Sequence, residues 1–172
     1  MEPNIIFVGP SCSVTNHVIK KISGVQQLKR GKQQSSGNMV LLSHFFEYST
    51  IKINEKTSIR LINCKSYELA NLLEKSWSKN LMGMVVLLNS NIAAIEDQLE
   101  TIVKYYPPSF FTQGLSIGII ETKNSSGHLR EKIIKKVDDL NLKAAVFDVD
   151  ITNHESLSLL VQSSITSSLY CA

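Results

Sequence analysis

Three features of this 172-residue sequence predict an α/β fold: a mostly parallel six-stranded sheet with one antiparallel hairpin at its edge and helices on both faces. The chain opens with a short apolar run, Ile5 to Val8, that stops at Gly9-Pro10. A polar loop follows, and helical spacing then begins at Val18, Ile19 and Ile22. Residues 39–63 next carry one hairpin pattern. From residue 67 onward, helical stripes alternate with continuous apolar runs of the kind expected of strands covered on both faces.

In chain order, the first helix should end near Ser23-Gly24. From there to Asn38 the sequence is polar, with Lys29, Arg30 and Lys32 ahead of Gln-Gln-Ser-Ser-Gly, and this composition predicts a mobile loop. Residues 39–48 and 58–63 are apolar, aromatic and β-branched enough for strands, and Asn54-Glu-Lys-Thr57 reads as the turn between them. Leu69, Leu72, Leu73 and Trp77 mark one face of a helix. Met84-Val-Val-Leu-Leu88 is a buried strand. Ile92, Ile95, Leu99, Ile102 and Val103 stripe a helix that Pro107-Pro108 prevents from continuing. Leu115 to Ile120 is another buried strand, and Leu129, Ile133, Val137 and Leu140 stripe the next helix. Ala144 to Val149 is the last strand. Thr152-x-x-Glu155 offers a capping box to a final helix striped by Leu157, Leu160, Val161 and Ile165. Each of these stripes is read as core.

Length and composition set the outer bounds. The chain suits a single domain over 1–172, with 43% hydrophobic and 19% charged residues. A formal charge of +3 does not argue for nucleic acid. No run approaches 18 apolar residues, so no membrane span is expected. Met-Glu-Pro-Asn leads straight into a strand without a basic leader, so secretion is not expected. Cys12, Cys64 and Cys171 are an odd set at wide spacing, and they read as reduced thiols of a cytoplasmic protein.

Strand, glycine-containing loop and helix together form the layout of a phosphate-binding βα unit. The working loop reads G-x-x-x-x-G-K-[ST]. Its glycines allow close backbone approach, its lysine meets the β/γ-phosphates and its hydroxyl meets magnesium. Here Gly9 is followed by Pro10 and Ser11, but Val14, Thr15 and Asn16 stand at the three diagnostic positions. Loop flexibility, phosphate charge and magnesium hydroxyl are all replaced at the required spacing.

Other constellations carry less. Asp148 and Asp150 alternate along a strand end and could hold a cation, but strand-end acids that cap the following loop are commoner. His17, His44, His128 and His154 show no ligand spacing with one another or with any cysteine. Cys12 stands at a helix N-terminus five residues before His17, with no third residue to orient a dyad. Ser11 and Ser13 lack a G-x-S-x-G elbow. No metal site and no cofactor is expected.

The order of elements resembles that of the Ras-like small GTPases. The likeness is closest to bacterial members similar to the gliding-motility GTPase, with Val146-Phe-Asp-Val-Asp150 through Leu159-Leu-Val-Gln162 resembling the C-terminal segment of that group. The resemblance implies a Ras-like P-loop fold over nearly the whole chain. It also places the family's motifs. Ser35, Ser36 and Asn38 lie where the magnesium-capping threonine should precede the hairpin. Asn63-Cys-Lys-Ser-Tyr67 aligns with the magnesium and γ-phosphate motif, with Ser66 in the place of its glycine and Tyr67 near the water-positioning glutamine. Thr122-Lys123-Asn124-Ser125 stands where guanine is read; Lys123 is kept, but Ser125 replaces an aspartate that accepts two N–H bonds. Four sites depart together. The implied protein is a non-catalytic pseudo-GTPase, not an enzyme, that holds no nucleotide and acts as an interaction or scaffold module. The alternative is an atypical nucleotide binder or enzyme in the same crevice, drawing on the backbone N–H groups of Pro10-Ser-Cys-Ser at a helix N-terminus. A eukaryotic kinetochore subunit with a small-GTPase fold and no nucleotide motifs is similar in size and plan.

A partner surface is expected on the first hairpin strand, Met39-Val-Leu-Leu-Ser-His-Phe-Phe-Glu-Tyr48, taken as the sheet edge beside the basic loop. Phe45 and Phe46 must face opposite sides of a regular strand. One of them, with Tyr48 or Tyr67, is expected to anchor a protein partner, for which a roadblock-type protein or an intact small GTPase is the implied candidate.

Overall fold

The computed structural model describes residues 2–37, 40–90, 94–120 and 128–171, with backbone alone for 33–37, 40–44, 77–78 and 170–171. Strands β1 (Asn4–Val8), β2 (Lys29–Gly37), β3 (Val40–Lys52), β4 (Ser58–Asn63), β5 (Leu81–Asn89), β6 (Gly114–Ile120) and β7 (Ala144–Val149) form one sheet in the order β2-β3-β4-β1-β5-β6-β7. The β4-β1-β5-β6-β7 block is parallel, while β2–β3 and β3–β4 pair antiparallel.

The sheet has seven strands rather than six because residues 29–37 are not a loop. They form β2, registered against β3 from Lys29↔Tyr48 to Gly37↔Val40. The polar run fits an edge strand, which needs no apolar alternation on a solvated side and is protected from stray pairing by lysines. It follows that β3 is not the sheet edge; its Glu47–Lys52 half also pairs with β4.

Phe46 docks this edge onto the core. Its ring is 4% exposed and covers Gly31 of β2, where a Cβ would collide with the ring. Phe45 points the other way, 56% exposed, with the Arg30 guanidinium 6.0 Å from its ring centroid. The β3–β4 turn is closed by Asn54, whose Oδ1 accepts from the backbone N–H groups of Lys56 (2.9 Å) and Thr57 (2.8 Å).

Helices cover both faces. On one, α1 (Cys12–Ser23) and α5 (His154–Cys171) pack against Ile5, Phe7, Leu61, Val85 and Leu87. On the other, α2 (Tyr67–Trp77), α3 (Ile95–Tyr105) and α4 (His128–Asp139) cover Ile6, Ile62, Met84, Val86 and Ile117. The expected stripes are core: Val18, Ile19, Leu69, Leu73, Leu99, Ile133, Val137, Leu157 and Leu160 are buried. Ile92 lies outside the described residues.

Chain punctuation follows local chemistry. α1 ends at Gly24 in the left-handed region (φ 66°), and its N–H caps the Lys20 carbonyl. α5 is capped by Asn153, not Thr152: Asn153 Oδ1 accepts from Glu155 N (2.9 Å) and Ser156 N (3.4 Å). Thr152 instead closes a turn on Asp150, donating both its backbone N–H and its hydroxyl to Asp150 Oδ1. α5 also lies so close to the sheet that a Cβ on Gly114 would overlap the Ser164 carbonyl oxygen. The buried Ser164 hydroxyl bonds to the Gly114 carbonyl at 2.9 Å.

Candidate functional site

The carboxyl ends of the parallel strands share one rim, where ligands bind in open α/β sheets. The links after β1 (Gly9–Ser11), β4 (Cys64–Ser66) and β7 (Asp150–Asn153) reach it. Thr122, Lys123, Asn124 and Ser125, expected at the guanine-reading position, lie outside the described residues, as does Asn38.

In the first link, Ser11 is the N-cap of a helix that starts at Cys12. Val14 N–H donates to Ser11 Oγ at 3.3 Å, and Thr15 N–H donates to the Ser11 carbonyl at 3.1 Å. The amides of residues 14 and 15 are therefore used inside the helix's first turn. Thr15 is 1% exposed, and its hydroxyl also donates to the Ser11 carbonyl at 3.1 Å. A Cβ on Gly9 would stand 2.6 Å from Thr15 Oγ1. The Thr15 side chain fills the space over Gly9, which gives this glycine a packing role. A cavity of about 290 Å³ opens beside Gly9 and Pro10 toward α3, lined by Leu87, Asp97 and Thr101. That is the small end of ligand pockets.

Side chains from α1, β3 and the carboxyl end of β4 form a connected chain of contacts. Asn16 Nδ2 donates to Glu47 Oε2 at 2.8 Å, and Lys65 Nζ contacts the same oxygen at 2.7 Å. Asn63 Nδ2 donates to Asn16 Oδ1 at 2.6 Å and to the Cys12 carbonyl at 3.4 Å. The Lys65 hydrogen bond, followed by that of Asn16, holds the Glu47 carboxyl below its ordinary pKa of 4.5. Asn63 is buried, and Glu47 is half-buried. Sequence reasoning missed Glu47 and Lys65. Glu47 lies 31 residues from Asn16, and its place is set by the register of β3 against β4, Glu47↔Asn63. The available signal was a carboxamide at residue 63 with a lysine two residues on.

The remaining expected residues have identifiable roles. Ser66 caps α2: its Oγ accepts from Leu69 N–H at 3.3 Å, and its carbonyl accepts from Ala70 N–H. Burial pushes the Cys64 thiol up to about 12, with its Sγ–H donating to the Ser66 carbonyl. Tyr67 is 49% exposed, and its ring pairs with Tyr105 at 5.9 Å. Tyr48 is half-buried, with its ring 5.8 Å from Phe46 and the Arg60 guanidinium 5.1 Å away. The four aromatic residues are thus not brought together at one surface. Phe46 is core, and Phe45 faces away from α2, which carries Tyr67.

Asp150 is pulled below its ordinary pKa mainly by the Thr152 hydroxyl, as a loop-capping acid would be. Among the described residues no group of three His, Cys, Asp or Glu side chains could hold a metal ion. No described helix is long and apolar enough to cross a membrane.

The fold is similar to that of solved Era structures. Over 98% of its length the chain superposes on a point variant of Aquifex aeolicus Era bound to GDP·AlF4−, with a TM-score of 0.60 and 9% identity. Over 96% it superposes on Era in complex with MgGDPNP and nucleotides 1506–1542 of 16S ribosomal RNA, with a TM-score of 0.61 and 10% identity. The chain has the P-loop GTPase fold. It spans 57% and 56% of those two proteins. No family model matches the sequence, and no curated protein does.

Proposed function

We propose that this protein is a pseudo-GTPase: a P-loop GTPase fold that acts as a non-catalytic, cytoplasmic protein-interaction module and carries no nucleotide. The observation that carries this reading is the Asn16–Glu47–Lys65–Asn63 cluster. Magnesium in such a fold needs a hydroxyl and carboxylate oxygens presented to a small, hard cation. Here residues 16 and 63 are carboxamides bonded to each other, and the carboxylate among them, Glu47, is already paired with an ammonium group. This donor set does not fit the ion. Thr15, folded over Gly9, supplies no charge for a phosphate, and the Val14 and Thr15 amides are used within α1.

Phosphoryl transfer needs phosphate, metal and water to be positioned together. With Tyr67 exposed and Ser66 turned to helix capping, the water-positioning segment has no group suited to that task. The surfaces of the fold remain, and Phe45 and Tyr67 are large exposed rings on them. On the resemblance of the sequence to gliding-motility-type GTPases, the partner we propose is a roadblock-type protein or an intact small GTPase. A direct test is to denature freshly purified protein and resolve what it releases by anion exchange. The reading expects no stoichiometric guanine nucleotide; one GDP or GTP per chain overturns it.

A further inference from the structure

We infer that the Lys65 ammonium group is a tethered replacement for a bound cation, holding the links after β1 and β4 against β3 in one fixed arrangement. The inference rests on the pseudo-GTPase reading and adds to it what keeps the rim ordered when no ligand is there to do so. Three separate chain segments converge on the cluster: Asn16 from α1, Glu47 from β3, and Asn63 with Lys65 from the end of β4. All four side chains are polar or charged, so hydrogen bonds and the ion pair tie the segments together here.

One ammonium group supplies the positive charge from within the chain, and two carboxamides supply both the donors and the acceptors that complete the circuit. Lys65 Nζ bonds Glu47, Glu47 accepts from Asn16, Asn16 accepts from Asn63, and Asn63 also donates to the Cys12 carbonyl ahead of the Asn16 turn. Because the cation is covalently attached, its local concentration is fixed and it cannot be removed by a chelator or exchanged.

Hydrogen exchange on the full chain tests this. Lys65→Met keeps the stem's packing and removes the charge. It should raise exchange about threefold to fivefold at the amides of residues 12–16 and 63–67, as expected for a half-exposed pair, with the α4 and β7 amides unchanged. Glu47→Gln should do the same, and the double variant should be no faster than either single one, because both break one circuit. Wild-type exchange should be identical in 10 mM magnesium chloride and in chelator. Unchanged exchange in Lys65→Met overturns the inference, as does additive loss in the double variant or magnesium-dependent protection of the wild type. The nucleotide-release experiment separates the two failures: bound GDP sinks the pseudo-GTPase reading and this inference with it, whereas unchanged exchange in Lys65→Met with no nucleotide released sinks this inference alone.

Discussion

Phe46→Ala should be among the most damaging substitutions in β3, and Phe45→Ala, one residue away, nearly silent. The Phe46 ring is 4% exposed, covers Gly31 and stands 5.8 Å from the Tyr48 ring in the cluster with Cys64 and Leu69. Truncating a buried Phe to Ala removes its transfer free energy and leaves a cavity, at a cost of about 3–5 kcal/mol. For a domain of this size each kcal/mol lowers Tm by about 2–4 °C, so a fall of roughly 6–20 °C is expected. Phe45, at 56% exposure, loses only solvated area and a long-range contact with Arg30, so its change should stay within about 0.5 kcal/mol. Gly31→Ala sharpens the test. Its new Cβ would strike the Phe46 ring, so it should destabilise the wild type yet be nearly neutral in a Phe46→Ala background. Thermal and urea unfolding followed by circular dichroism measures the wild type and each variant. Equal losses for Phe45→Ala and Phe46→Ala, or additive losses for Gly31→Ala and Phe46→Ala, would refute the placement of the β2 edge.

Gly114→Ala should cost about 2–3 kcal/mol in urea unfolding, because the methyl group would displace α5 from the sheet at Ser164; a wild-type midpoint would contradict that packing. The combined change Val14→Gly, Thr15→Lys and Asn16→Thr rewrites the loop to the phosphate-binding pattern, yet it should give no measurable GTP hydrolysis. It should also lower Tm, since Thr15 is buried and Asn16 bridges Glu47 and Asn63. The Glu47 carboxyl, held below 4.5 by Lys65 and Asn16, contributes stability above pH 4.5 that is lost as the pH falls through its lower folded-state value. Glu47→Gln should flatten that acid limb in Tm-against-pH curves, by no more than about 1 kcal/mol for a pair this exposed.

Much of the fold was legible in the sequence because burial on both sheet faces writes itself as continuous apolar runs, as in Met84–Leu88 and Leu115–Ile120. Pro107 and Gly24 marked helix ends for local steric reasons. β2 was illegible because an edge strand carries no such signal: Gln-Gln-Ser-Ser-Gly is polar at every position and is held by its pairing to β3. The cap of α5 fell one residue away from the sequence pattern because Asp150 had already engaged Thr152. At the candidate site, residues 14–16 could be read from loop spacing alone. Glu47 and Lys65 could not, because their meeting depends on strand register.

Titration of a fluorescent GDP or GTP analogue in the presence of magnesium tests the central claim most directly. With Val14, Thr15 and Asn16 inside α1 at the diagnostic positions and Lys65 on Glu47, no saturable binding is expected below about 100 μM, a ceiling of roughly −5.5 kcal/mol. A saturable, magnesium-dependent curve with a sub-micromolar Kd would contradict it.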